Sequence, residues 1–313
     1  IFLILSPRIF AQSFYNNKDI IFMSLYIISL YSCIRFIYKP KIKHAIFFAL
    51  TSALATDMRI MGIMLPLLTL FFILILLLRD KFYLKNNLLP LLIFLILTPI
   101  FIFIFWPYLW PDPIINFITA FKNLSAFPLE KMKNLYFGNY VYANYLPWHY
   151  SLIWIVITTP ILYVILFIFG FYKASARMIK RLFNISEHKK FNDLWRGKKE
   201  MIDLMILINF FLPIFAVIIL NSTLYDGWRQ LYFTYPSFLL LSLYGFKRII
   251  DKIKKSNFYF YFLTFVILAL AVNLFNIIRI HPYQYVYFNF LAGKETQKNF
   301  EADYWGVSNK QAL

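Results

Sequence analysis

The chain is poor in the residues that carry most soluble chemistry. It has one cysteine, four histidines, eight glycines and only 14 acidic residues in 313. The single thiol, Cys33, sits inside an apolar run, so an internal disulfide framework is excluded and the side chain reads as a small buried group. No second histidine stands at ligand spacing from His281, which leaves zinc chemistry without support. A Gly-rich phosphate loop is absent as well. Charge is scarce, at 15% of residues, and it clusters in short segments between long apolar runs.

What is abundant is apolar surface. With 61% hydrophobic residues and a mean hydropathy of +0.65, the chain carries more apolar area than a soluble domain of this length could bury. Lipid is the solvent that fits, and the expected fold class is an all-α polytopic membrane protein. A formal charge of +18 could suggest nucleic acid, but that partner needs a basic face backed by a soluble fold. No nucleic-acid partner is expected.

Apolar runs long enough to cross about 30 Å of hydrocarbon fall at 20–36, 44–56, 60–78, 88–106, 150–172, 201–220, 231–246 and 258–278. The opening Ile-Phe-Leu-Ile-Leu, which does not begin with methionine, reads as the tail of an earlier span, so an N-terminal loss is expected. Residues 1–280 are thus expected to form a transmembrane domain of about eight full spans plus that tail. Residues 281–313 would begin an outward-facing C-terminal segment.

Threading the loops alternately places 35–43, 79–85, 173–199 and 247–255 on one side, with 21 of the 32 basic residues. Positive loops stay in the cytoplasm, so topology explains the basic excess. The opposite set, 6–19, 56–62, 107–149, 221–230 and 281–313, holds eight of the 14 acids and is dense in Tyr, Trp and Pro. An aromatic belt accounts for the rings alone. It does not account for acids and arginines beside them at the ends of several spans, which points to an outward-facing polar cavity. Within it, residues 116–145, with Lys122, Glu130, Lys131 and Lys133 among aromatics, read as a helix lying along the interface.

Asp19 immediately precedes a span and would either cap that helix or serve as a carboxylate that takes a proton or holds a divalent cation. Arg229 and Arg59 lie at outward span ends, near Asp226 and Asp57, at the depth where a lipid phosphate sits; a guanidinium fork grips phosphate well. His281, beside Pro282 and Tyr283, reads as an interface residue. Asn123 and Asn221 match a glycosylation pattern too common to weigh.

Four segments together resemble a family: Ser6-Pro7-Arg8 through Asn16-Asn17-Lys18-Asp19-Ile20, Tyr225-Asp226-Gly227-Trp228-Arg229, His281-Pro282-Tyr283, and Asp303-Tyr304-Trp305-Gly306. Their order and spacing are similar to those of the bacterial family 39 glycosyltransferases, relatives of protein O-mannosyltransferases and lipid A aminoarabinose transferases. The resemblance implies a GT-C-like bundle in the inner (cytoplasmic) membrane with its site on the extracytoplasmic side. It implies inverting transfer of a sugar from a polyprenyl-phosphate donor to a glycan, lipid or protein acceptor. It assigns Asp19 as the catalytic or metal-holding carboxylate, with Mg2+ or Mn2+ as the cation. It assigns Arg229, Arg59, Asp226, Tyr225, His281 and Tyr283 to substrate binding. The family's main catalytic acid lies in an earlier loop than any present here, and relatives commonly continue past the point where Leu313 stands, so the fragment alone is expected to be inactive. Two other classes compete: a flippase for lipid-linked sugars, disfavoured because no matched, broken spans appear, and a structural subunit, which leaves the outward polar groups without a purpose.

Overall fold

The structure, a computed structural model, describes residues 1–79, 82–125, 132–183, 195–307 and 309. Helix makes up about 75% of the chain, as its apolar runs require. The long elements are α1 (Pro7–Tyr15), α2 (Asp19–Tyr38), α3 (Ile42–Met58), α4 (Met64–Arg79), α5 (Tyr83–Phe105), α6 (Pro113–Ser125), α7 (Tyr150–Thr158), α8 (Ile161–Phe183), α9 (Gly197–Ile219), α10 (Tyr235–Ile253) and α11 (Phe258–Arg279). Among the described residues six helical segments are long and apolar enough to cross a membrane: Asp19–Tyr38, Ile60–Leu78, Lys85–Phe105, Ile161–Arg181, Gly197–Ile219 and Phe258–Arg279. Their outer faces carry the apolar surface that the composition demands. On α11, for example, Phe260, Ile267, Leu268, Phe275 and Ile278 are all exposed. The chain is therefore a polytopic helical membrane protein.

That number is smaller than the eight spans expected, for local reasons. α3 has only 17 residues, about 25 Å of helix. α10 is 19 residues long but carries Lys247, Arg248, Asp251 and Lys252 in its final turns. The 150–172 run keeps one span but shifts it to Ile161–Arg181, because Pro160 has no N–H to continue the ladder and splits the run into two helices. Residues 2–5 form turns. The interfacial helix expected over 116–145 is also corrected. α6 stops at Ser125, and Lys133–Tyr136 (β1) pairs antiparallel with Asn139–Tyr142 (β2). Phe137 and Gly138, at φ 50° and 75°, make the two-residue turn that matches strand twist. Glu130 and Lys131 of that expected helix, and residues 80–81 and 184–194 of the expected basic loops, lie outside the described residues.

The chain divides into two compact units. One comprises Ile21–Ser125 and Lys180–Ile202. Here Ala45, Ala49 and Ala53, one turn apart on α3, are fully buried, and small side chains of this spacing let helices approach closely in lipid. Phe48 stacks on Phe94 of α5 at 4.9 Å, and Phe36 meets the same ring at 5.3 Å. Gly62 lies so near the backbone of Ala55 and Thr56 that any Cβ would collide with it.

The other unit comprises Ile1–Ile20, Ala126–Ile179 and Asp203–Leu313. Its core is aromatic: Phe167 stacks on Phe238 at 4.3 Å, and Phe2 on Tyr163 at 4.4 Å. At the α7–α8 break, Asn289 supplies what Pro160 removes. Its Nδ2 donates to the carbonyls of Val156 and Thr159, both at 2.7 Å, and its backbone N–H donates to that of Ile157 at 2.8 Å.

Candidate functional site

The second unit gathers charged groups that the sequence scatters over nearly 300 positions, and local turn chemistry sets each one. Between α1 and α2, the Asn16 side-chain oxygen accepts the backbone N–H of Asp19 at 2.8 Å and of Lys18 at 3.3 Å, capping α2. The Asn16 amide nitrogen donates back to Asp19 Oδ2 at 2.7 Å and to Gln12 Oε1 at 3.0 Å. Asp19 is only 2% exposed, so its carboxylate is held by this frame rather than by water. The cap on α2 thus comes from Asn16 rather than from the Asp19 carboxylate, which Asn16 Nδ2 holds in place.

Arg229 comes from the 224–230 loop. Asp226 and Gly227 are both left-handed, at φ 57° and 76°, which reverses the chain tightly. A side chain at Gly227 would press on the Trp154 ring as well as strain the backbone. The neighbouring Trp228 is buried and donates from Nε1 to Thr158 Oγ1 at 2.8 Å, fixing the loop to α7. Arg229 then reaches Asp226 Oδ2 at 2.9 Å through Nη2 and Asp19 Oδ2 at 3.6 Å through Nη1. Its guanidinium lies over the rings of Tyr225 (4.7 Å) and Trp305 (5.3 Å). A cation between two carboxylates and two aromatic faces is fixed in position before any ligand arrives.

A third carboxylate completes the group. Glu301 is pushed up to about 7, first by burial and then by the charge of Asp226, with Arg229 opposing both. Its Oε2 is buried and accepts no hydrogen bond. Asp226 is also raised, because burial outweighs the pull of Arg229. Beside them, Tyr304 receives a hydrogen bond from Gln12 Nε2, and Tyr285 donates to Asp303 Oδ1. Arg8, 2% exposed, donates to the Tyr287 carbonyl at 3.2 Å and lies over Phe288 (4.9 Å) and Trp154 (5.5 Å). The site thus has a fixed guanidinium, a carboxyl group that changes charge near neutral pH, and aromatic walls.

Of the residues singled out from sequence, Asp19, Arg229, Asp226 and Tyr225 come together. His281 and Tyr283 line a separate groove of about 1080 Å³ between α8 and α11, where His281 Nδ1 accepts from Gln284 Nε2 at 3.0 Å. Arg59 belongs to the other unit, where it follows α3 in an extended conformation. Among the described residues no three His, Cys, Asp or Glu side chains stand together as a metal site. Asp19 and Asp226 share Arg229 as a cationic partner.

Sequence reasoning missed Glu301, Gln12 and the cap formed by Asn16. Glu301 has no local motif; its burial is contributed by segments more than 70 residues away, and only its place just before Asp303-Tyr304-Trp305 gave a signal. Comparison with protein-family models, with curated proteins and with solved structures finds no match to this chain.

Proposed function

We propose that the chain is a GT-C-like membrane glycosyltransferase. It moves a sugar from a polyprenyl-phosphate donor to an acceptor on the extracytoplasmic side of the inner membrane, with inversion. The observation that carries this reading is Arg229, 15% exposed, set between Asp19 and Asp226 and between two aromatic rings at the end of apolar helices. The order of the sequence segments that resemble family 39 transferases supports it, as does the basic bias of the opposite loops.

In the reaction the acceptor hydroxyl oxygen bonds to the anomeric carbon while the bond from that carbon to the phosphate oxygen breaks. The lipid phosphate leaves with the electron pair, and Arg229 offsets its growing charge. The hydroxyl proton passes to a carboxylate. Glu301 suits this step, since a group that titrates near the working pH both accepts and releases a proton readily. Asp19 acts through Arg229, holding its fork in register. A donor with a long tail explains why the enzyme is embedded in lipid, for the tail never has to leave it.

The test uses membranes containing the chain in its complete reading frame, supplied with radiolabelled polyprenyl-phosphate sugars. Label should leave the lipid, and Glu301→Gln and Asp19→Asn should each slow transfer, by about a hundredfold and tenfold respectively, without loss of membrane insertion. Normal turnover in both variants would remove these assignments. Label that crosses the membrane still attached to its lipid would favour the flippase.

A further inference from the structure

The far end of α8 and α10 carries a second charged feature that the transferase proposal does not use. The two helices run side by side in the same sense and touch at Gly170 and Gly245. A Cβ on Gly170 would strike the Leu241 carbonyl, and one on Gly245 that of Leu166. Such contact is possible only without side chains. Past this point the helices bound a cavity of about 420 Å³, lined by Phe169, Lys173, Arg177, Tyr244, Arg248 and Lys252. Lys173 and Arg177 stand three and seven residues beyond Gly170, and Arg248 and Lys252 three and seven beyond Gly245. The spacing that makes each glycine face its partner therefore turns all four cations into the same space.

Among the described residues these charges are poorly balanced. Asp203 takes Arg177 Nη1 at 3.0 Å, yet Arg177 Nε and Nη2 are buried and make no hydrogen bond. Among the described residues Lys173 and Arg248 meet aromatic groups rather than acids, and Lys252 lines the same space. Lys173 lies 5.4 Å from the Phe169 ring, and Arg248 donates to Tyr244 Oη at 2.8 Å. Along the same helices, back towards the glycines, Ile168, Phe171, Leu240 and Leu243 are exposed apolar side chains on the surface that lipid covers.

We propose that this cavity binds the phosphate headgroup of an anionic phospholipid from the surrounding bilayer. Unpaired cations beside buried, unbonded guanidinium nitrogens call for a multivalent acceptor, and phosphate oxygens satisfy both. The adjoining apolar face accommodates acyl chains, which a free anion would leave bare. Basic pockets between spans serve this purpose generally, each lysine or arginine adding about fivefold in affinity for anionic lipid. The inference stands whether or not the transferase reading does.

The experiment is native mass spectrometry of the full chain in neutral detergent, titrated with phosphatidylglycerol or with phosphatidylcholine of the same tails. The chain should retain phosphatidylglycerol preferentially. The triple variant Lys173→Gln, Arg248→Gln, Lys252→Gln should lose that preference by on the order of a hundredfold. Equal retention of the two lipids, or an unchanged preference in the triple variant, overturns the proposal. So does displacement of the lipid by inorganic phosphate at micromolar concentration, which would assign the cavity to a soluble anion. Where the triple variant fails to fold, Lys252→Gln, at an exposed position, should still weaken the preference about fivefold, and no change there would count against the site.

Discussion

Arg229 and Arg177 are hidden to a similar degree, 15% and 17% exposed, at opposite ends of one helical layer, and their surroundings differ in kind. Around Arg229 the carboxylates outnumber the cation, with Asp19 and Asp226 in ion-pair range and Glu301 close enough to feel Asp226 and Arg229. Around Arg177 the cations outnumber the one acid that pairs with it among the described residues, Asp203. The first arrangement holds its geometry through its own ion pairs and leaves one carboxyl to titrate near neutral pH. The second is short of negative charge and is completed from outside. Burial of an arginine therefore says little by itself; the sign of what surrounds it decides between a prepared site and a receptor.

The most severe way to break the comparison is to separate the helices that carry its second half. Gly170→Leu places a branched side chain against the Leu241 carbonyl, and the variant should yield no monodisperse protein in detergent chromatography. Next in size, Arg229→Ala leaves buried carboxylates facing each other without a cation. It should lower unfolding stability by about 3 kcal/mol in reversible denaturation. The mildest change sharpens the contrast through pH. The folded-state value of Glu301 is raised from 4.5 to about 7, so between those limits the folded protein binds a proton that the unfolded chain does not. Stability contributed by this group is therefore greatest below pH 4.5 and declines as pH rises towards 7, beyond which the penalty is constant. Glu301→Gln should raise the unfolding temperature at pH 8 relative to the parent chain and leave it nearly equal at pH 4.

Much of the architecture was legible because lipid imposes one simple rule, an apolar run of sufficient length. Runs such as 20–36 and 258–278 return as α2 and α11 within a few residues. Hydropathy is blind to hydrogen bonding, however, and so passed over Pro160 and joined α7 to α8. It was equally blind to the strands around Phe137-Gly138, whose alternation is short and whose glycine follows a phenylalanine rather than an asparagine. In the site, Asp19 and Arg229 could be found because each stands beside a span end. Glu301 could not, since a carboxylate acquires an unusual proton affinity from neighbours that only the folded chain assembles. The cations past Gly170 and Gly245 were visible as sidedness, but their convergence depends on two glycines 75 positions apart.

Asn289 has a consequence for the order in which the protein is made. The carbonyls of Val156, Ile157 and Thr159 lose their helical partners at the Pro160 break and, among the described residues, find them in Asn289. Each would otherwise be an unpaired backbone acceptor among buried residues, at a cost of about 1–3 kcal/mol. The α7–α8 pair, synthesised more than a hundred residues earlier, thus stays unfinished until the ribosome has delivered the segment after α11. Assembly of this part of the protein is governed by its last-made portion, and a chain stalled before Asn289 would carry an open break that membrane quality-control proteases could recognise.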